Sequence, residues 1–130
     1  GWTLETPDLD VTSDDSVAAA VAGVLRATAG RIDILINNAG YYAYGPWEEL
    51  HPDELAAQLQ TNVVGVHRVT RAVLPTLRGQ GGGAIVTIGS LAGLSAIPVT
   101  GAYHASKWAV EALVESLRYE VAPFGIRVTL

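Results

Sequence analysis

Ile32-Asp33-Ile34-Leu35-Ile36 runs straight into Asn37-Asn38-Ala39-Gly40. Four of the first five residues are branched aliphatics. A run this dense, without polar alternation, is predicted as a strand buried on both faces, the pattern of a parallel sheet covered by helices. The small and polar residues that follow end it. Helices are therefore to be sought on either side of this run.

They are present in both directions. Upstream, Asp8-Leu9-Asp10-Val11 after Pro7 reads as the end of a strand. Thr12-Ser13-Asp14-Asp15 supplies a helix cap and an acidic first turn. Val17, Val21, Val24 and Leu25 follow at helical spacing, and Gly30 terminates the pattern. Downstream, Tyr41 to His51 is irregular, and Pro52 suits a first helical turn. The stretch Asp53 to Leu77 is predicted helical, in one or two segments, with Pro75 loosening its last turns. A glycine turn, Gly79 to Gly83, leads to a second strand, Ala84 to Ile88. A loop from Gly89 to Gly101 precedes a long helix, Tyr103 to Val121, which Pro123 and Gly125 stop. Ile126 to Leu130 is a third clear strand. Strands alternating with crossover helices give the α/β class, a parallel sheet and right-handed connections.

Composition narrows the functions open to this fold. The chain has 130 residues, 49% of them apolar and 16% charged, which excludes intrinsic disorder. It has no Cys, so disulfide scaffolds, thiolate metal sites and Cys nucleophiles are excluded. No His cluster suggests a metal site. The net charge of −5 is the wrong sign for a nucleic-acid backbone binder. No basic-then-apolar leader and no run of membrane-spanning length occurs, so a soluble, cytoplasmic protein is expected. Residue 1 is Gly, Met is absent, and the last strand stops at Leu130. The expectation is a single partial domain, 1–130, cut from a longer chain.

In open parallel sheets ligands bind beyond the carboxyl ends of the strands. The residues there are Asp10-Val11, Asn37-Asn38-Ala39-Gly40 and Gly89-Ser90, each set small or polar enough for close backbone approach. Any one set alone is also what an ordinary turn contains. Tyr103 and Lys107 lie four apart, on one face of the last helix. Lys107 is the sole lysine. Asn62, in the middle helix, is the third asparagine after Asn37 and Asn38.

Taken in order, Asn37-Asn38-Ala39-Gly40, Asn62, Ser90 and Tyr103-x-x-x-Lys107 resemble the classical short-chain dehydrogenase/reductase family. The Ser90-to-Tyr103 spacing is also that family's, and the resemblance runs from about residue 8 to the end. It departs at the start. The family's Thr-Gly-x-x-x-Gly-x-Gly turn is not found among the 14 glycines.

The resemblance implies a Rossmann-like, incomplete three-layer α/β/α sheet and an NAD- or NADP-dependent hydride transfer between a nicotinamide and a carbonyl or alcohol carbon. Tyr103 would be the general acid/base. A free phenol, with a pKa near ~10, is a poor base at neutral pH, and a neighbouring cation favours its phenolate. Lys107 would supply that cation and hold the nicotinamide ribose. Ser90 would donate to the substrate oxygen, and Asn62 would hold a relay water. Asn38, Ala39 and Gly40 would line the adenosine side, with Asp10 and Val11 facing the adenine. The sequence does not separate NAD from NADP.

The resemblance implies a small-molecule alcohol or ketone as substrate. Tyr41, Tyr42, Tyr44, Trp47, Leu91, Leu94 and Ile97 either line its pocket, making it bulky and apolar, or pack their loops onto the sheet. His104 has no catalytic role, because adjacent helical residues point apart. A homodimer or homotetramer is implied for the parent, through the helices near Pro52 and Tyr103, with Trp108 and Leu113 on the outward side. In the family the missing strands lie between the Asp10 and Ile34 strands. The isolated chain is therefore expected to be sticky and inactive, with an open apolar edge. Two other readings are a catalytically silent cofactor-binding scaffold, disfavoured by the intact Ser90, Tyr103, Lys107 and Asn62, and an extended-branch epimerase or dehydratase, disfavoured by the Asn-Asn-Ala-Gly set.

Overall fold

A computed structural model describes residues 6–130. The run that opens the sequence analysis forms β1, Ile34–Asn37. It pairs in parallel with β2, Gly83–Thr87, which pairs in parallel with β3, Ile126–Thr129. The sheet order is β1-β2-β3, with Ile34 opposite Ala84 and Asn37 opposite Thr87.

Each crossover is helical. Helix α1, Asp14–Ala27, precedes β1; Ser13 caps it by accepting the Ser16 N–H. Between β1 and β2 run α2, Pro52–Leu59, a π-helical turn at Gln60–Val64, and α3, Gly65–Gly79. Helix α4, Gly101–Val121, joins β2 to β3, and Gly125 (φ +70°) takes the left-handed conformation that turns the chain into β3. No helix among the described residues is long and apolar enough to cross a membrane.

The core lies between one face of the sheet and the α3–α4 pair. Val73 and Leu77 of α3, Val110, Val114 and Val121 of α4, Ile85 of β2, and Ile126 and Val128 of β3 form one cluster. Val17 of α1 packs with Val11 and Val69 in a second. A polar lock sits at the carboxyl end of the sheet: buried Asn37 donates through Nδ2 to Thr70 Oγ1 (3.0 Å) and Thr87 Oγ1 (3.3 Å).

Three expectations need correction. Asp8 to Val11 is not a strand; it is unpaired and leads into a turn at Val11-Thr12. Asp10 directs that turn, its carboxylate accepting from the Thr12 N–H and hydroxyl. β1 is not buried on both faces. Ile34 and Ile36 are 59% and 61% exposed, because β1 is the edge of the sheet and the residues on its other face meet no helix among the described residues. Of the three layers expected, two are therefore present here, within the same Rossmann-like α/β class. Finally, Pro75 does not loosen α3, which runs unbroken to Gly79. Pro75 faces solvent, and buried Val73 and Leu77 on either side of it hold the helix to the core.

Candidate active site

The carboxyl ends of β1 and β2 point the same way, and the irregular segments after them meet α4 there. A cleft of about 220 Å³ lies at this point, lined by Asn38, Gly40, Tyr41, Tyr42, Asn62, Ile88, Gly89, Tyr103 and Lys107. A smaller one of about 80 Å³ lies beyond Asn38 and is walled by Leu9, Val11, Leu35, Ile36, Ala39, Val66 and Val69, among others. Asn38 lines both. Room for the second depends on Gly65, the first residue of α3: a Cβ there would come within 2.8 Å of Val11 Cγ2.

Tyr103 and Lys107 reach the cleft from successive turns of α4. Lys107 Nζ donates to the Ile88 carbonyl at 2.7 Å and lies 5.9 Å from the centroid of the Tyr103 ring. An ammonium has three donors, so two remain beyond the bond to Ile88. The Tyr42 ring packs edge-on against Tyr103, with centroids 4.7 Å apart and planes at 65°.

Asn62 is buried in the π turn, a geometry that often marks functional sites. Its Oδ1 accepts the Tyr41 N–H (3.0 Å), and its Nδ2 donates to the Tyr41 carbonyl (2.9 Å) and to Ser106 Oγ (3.1 Å). The side chain thus clamps the backbone after β1 onto the π turn and α4. Gly40 completes the fit: a Cβ there would stand 3.2 Å from Asn62 Oδ1.

Ser90 follows Gly89 but does not line the cleft. It begins a short 3₁₀ turn, Leu91–Gly93, and its Oγ accepts the Ala92 N–H at 3.1 Å, which leaves its own O–H free to donate. Asp10 lines neither cleft. Its bonds to Thr12, aided by the Arg68 charge, hold its carboxyl below the ordinary carboxylate range. Val11 is buried and lines the smaller cleft with Asn38 and Ala39. The structure therefore joins Asn38, Gly40, Asn62, Tyr103 and Lys107 at one cleft and Val11, Asn38 and Ala39 at the next, with Ser90 and Asp10 at adjoining turns.

Three contributors carried no sequence signal. Gln58, fully buried one turn before Asn62, gives the Tyr41 carbonyl a second donor at 2.9 Å, while its Oε1 has no partner among the described residues. Arg68 of α3 binds the Val11 carbonyl (2.6 Å) and Asp14 (2.5 Å), holding the Asp10-Val11 turn. The third is His104, buried next to Tyr103 on α4, the two rings edge-on with centroids 6.4 Å apart. Gln58 lies four residues before Asn62, but nothing in the sequence marks a fully buried amide.

A family model described as short chain dehydrogenase matches residues 3–130. The chain belongs to the short-chain dehydrogenase family. It is 44% identical over 128 residues to 17-beta-hydroxysteroid dehydrogenase type 1 of Homo sapiens, covering 98% of this chain and 38% of that protein. It is 43% identical over 122 residues to 3-ketodihydrosphingosine reductase of Bacteroides thetaiotaomicron, covering 94% of this chain and 45% of that one. Two dehydrogenases of known structure superpose closely. An NAD+-bound xylitol dehydrogenase gives a TM-score of 0.87 at 40% identity, over 92% of this chain and 46% of that one. A gluconate 5-dehydrogenase from Burkholderia cenocepacia, in complex with NADP and tartrate, gives 0.86 at 34%, over 92% and 47%. The chain thus spans less than half of each of these relatives.

Proposed function

We propose that the full-length protein carrying this chain is an NAD(P)-dependent dehydrogenase/reductase in which Tyr103 exchanges the proton with the substrate oxygen. One observation carries this reading: Tyr103 and Lys107 face a single cleft with Asn38, Gly40, Asn62 and Gly89 at the carboxyl ends of two parallel strands.

The residues present fit part of a dinucleotide. The apolar walls of the smaller cleft suit a flat ring such as adenine, and the two unused donors of Lys107 suit a ribose diol. The glycine-rich turn for the pyrophosphate is not among the 130 residues. When bound, the nicotinamide supplies or accepts the hydride.

The protein's own groups move the proton and orient the oxygen. Tyr103 gives its phenolic proton to the oxygen in reduction and takes it back in oxidation. Lys107 sets a fixed positive charge beside that phenol, where negative charge appears as the proton leaves. Ser90, with its O–H still free, donates to the same substrate oxygen. The Asn62 amide is taken up by Tyr41 and Ser106, so a relay water toward Lys107 is proposed to be held by its main chain. A silent cofactor-binding scaffold is disfavoured, because it could use Lys107 on the ribose but needs no tyrosine hydroxyl in the cleft.

The substrate is proposed to be bulky and apolar. Tyr42, Tyr44, Leu91, Leu94 and Ile97 stand exposed on the two loops flanking Tyr103. The relatives named for a hydroxysteroid and a ketodihydrosphingosine agree in kind. The parent is proposed to be a homodimer or homotetramer in the cytoplasm, joined through the outer face of α4, where Trp108 and Leu113 are exposed. Titration of the full-length protein with NADH and NADPH by tryptophan quenching, followed by turnover of a steroid and a long-chain ketone, tests the assignment. Tyr103→Phe is expected to abolish turnover with cofactor affinity kept. Retained turnover would remove the acid/base role.

A further inference from the structure

We propose that His104 is a positioning residue, whose Nδ1–H fixes the turn carrying Ser90 and so sets Ser90 against Tyr103. The proposal rests on the reading of Tyr103 and Ser90 given above. His104 is a titratable side chain buried to 8% exposure, and no step assigned so far uses it. Its Nδ1 lies 3.0 Å from the Ala92 carbonyl and closer still to the Ser95 carbonyl. Both partners are acceptors only, so Nδ1 carries the hydrogen.

The bond sits in a short relay. Ala92 is held through its carbonyl by His104, and its N–H is the group that orients Ser90 Oγ. The turn has little else to steady it on the solvent side: Leu91 and Leu94 are 82% and 72% exposed. On the inner side it lies close to α4, where a Cβ on Gly93 would meet Glu111 Cγ at 2.8 Å. Consecutive residues of one rigid helix therefore do two jobs. Tyr103 faces the cleft, and His104 grips the turn that presents the hydroxyl. The separation of the two polar groups is then a property of the helix rather than of the loop. Misplacement of such a group by about 1 Å can cost on the order of a hundredfold in rate.

The test uses the full-length protein, with estrone reduction at saturating NADH or NADPH as the probe. His104→Ala is expected to lower kcat roughly tenfold or more, with cofactor Kd within about twofold of wild type. His104→Asn, whose Nδ2 stands where the imidazole Nδ1 stands, is expected to recover most of the loss. His104→Gln, with its donor one carbon further out, is not; this polar pair keeps the comparison valid if the alanine variant folds poorly. In 15N spectra of the imidazole, His104 is expected to carry a hydrogen on Nδ1, a signature read without turnover. Unchanged kcat in His104→Ala, equal kcat in the Asn and Gln variants, or an Nε2–H tautomer would each overturn the proposal. Tyr103→Phe run in parallel separates the two readings. Turnover retained there defeats the acid/base assignment, whereas turnover lost there but kept in His104→Ala defeats only the role of His104.

Discussion

Truncation of Asn62 is expected to weaken the fold before it touches the chemistry. Asn62→Ala removes three hydrogen bonds from a buried site, but their loss is unequal. The Tyr41 carbonyl keeps Gln58 Nε2 at 2.9 Å, and the Ser106 hydroxyl keeps its bond to the Tyr103 carbonyl at 2.7 Å. Only the Tyr41 N–H loses its partner outright. A buried donor left unpaired costs about 1–3 kcal/mol, and each bond lost by a group with another partner about 0.5–1.5. The expected loss is about 2–6 kcal/mol, read as a lower midpoint in equilibrium urea unfolding of the full-length protein. Asn62→Asp sharpens the test. A carboxylate there still accepts from Tyr41 but, with no proton to give, is set against the Tyr41 carbonyl oxygen in a buried site, so its pKa should rise on folding. The variant should then be weakest at neutral pH and recover as pH falls and the acid can donate. A loss below about 1 kcal/mol in Asn62→Ala would refute the clamp. So would an Asn62→Asp protein indifferent to pH.

Three other perturbations follow from the same geometry. Asp10, whose folded pKa is depressed by Thr12, contributes stability above the ordinary carboxylate pKa of about 4 and loses it as pH falls through the folded value. Asp10→Ala should therefore be less stable than wild type at neutral pH and equal to it in strong acid; a gap independent of pH in paired urea titrations would count against this. Val99 is β-branched yet sits at φ +60°, with its carbonyl accepting the Gly45 N–H, so Val99→Gly should raise stability by about 1 kcal/mol by calorimetry. A lower Tm would show that the side chain is worth more than the strain. For the isolated 130-residue chain, Ile34→Thr with Ile36→Thr should reduce light scattering while leaving the far-ultraviolet spectrum intact. Equal scattering would place the sticky surface elsewhere.

The parts of the site legible in the sequence were those that obey a short-range rule. Tyr103 and Lys107 share a face because a helix repeats nearly every four residues. Asn38, Gly40 and Gly89 were marked because chemistry in a parallel sheet collects at strand ends. The remainder depended on packing between segments far apart in the chain. Gln58 and Asn62 converge on Tyr41 from 17 and 21 residues away. The π turn leaves no compositional trace, since Gln60-Thr61-Asn62-Val63-Val64 suits an α-helix equally well. His104 was set aside because adjacent helical residues point apart, yet its ring lies edge-on to that of Tyr103 with centroids 6.4 Å apart; its bond to the Ala92 turn could not be read from spacing. The strand expected at Asp8 to Val11 and the double-sided burial of Ile34 and Ile36 both presumed neighbours that the described residues do not contain.

The Asn37 lock has a consequence for how such a chain can change over time. Because Asn37 Nδ2 is shared between Thr70 and Thr87, strands β1 and β2 are keyed to one alignment at the end where ligands approach. At the opposite end the chain turns through Gly81, Gly82 and Gly83, all at positive φ and away from the cleft. A change of length near that turn lies far from the key, whereas one inserted between Asn37 and Tyr42 would shift Tyr41 and Tyr42 against the cleft. Inventions in substrate choice then belong in the side chains of the two loops beyond the key.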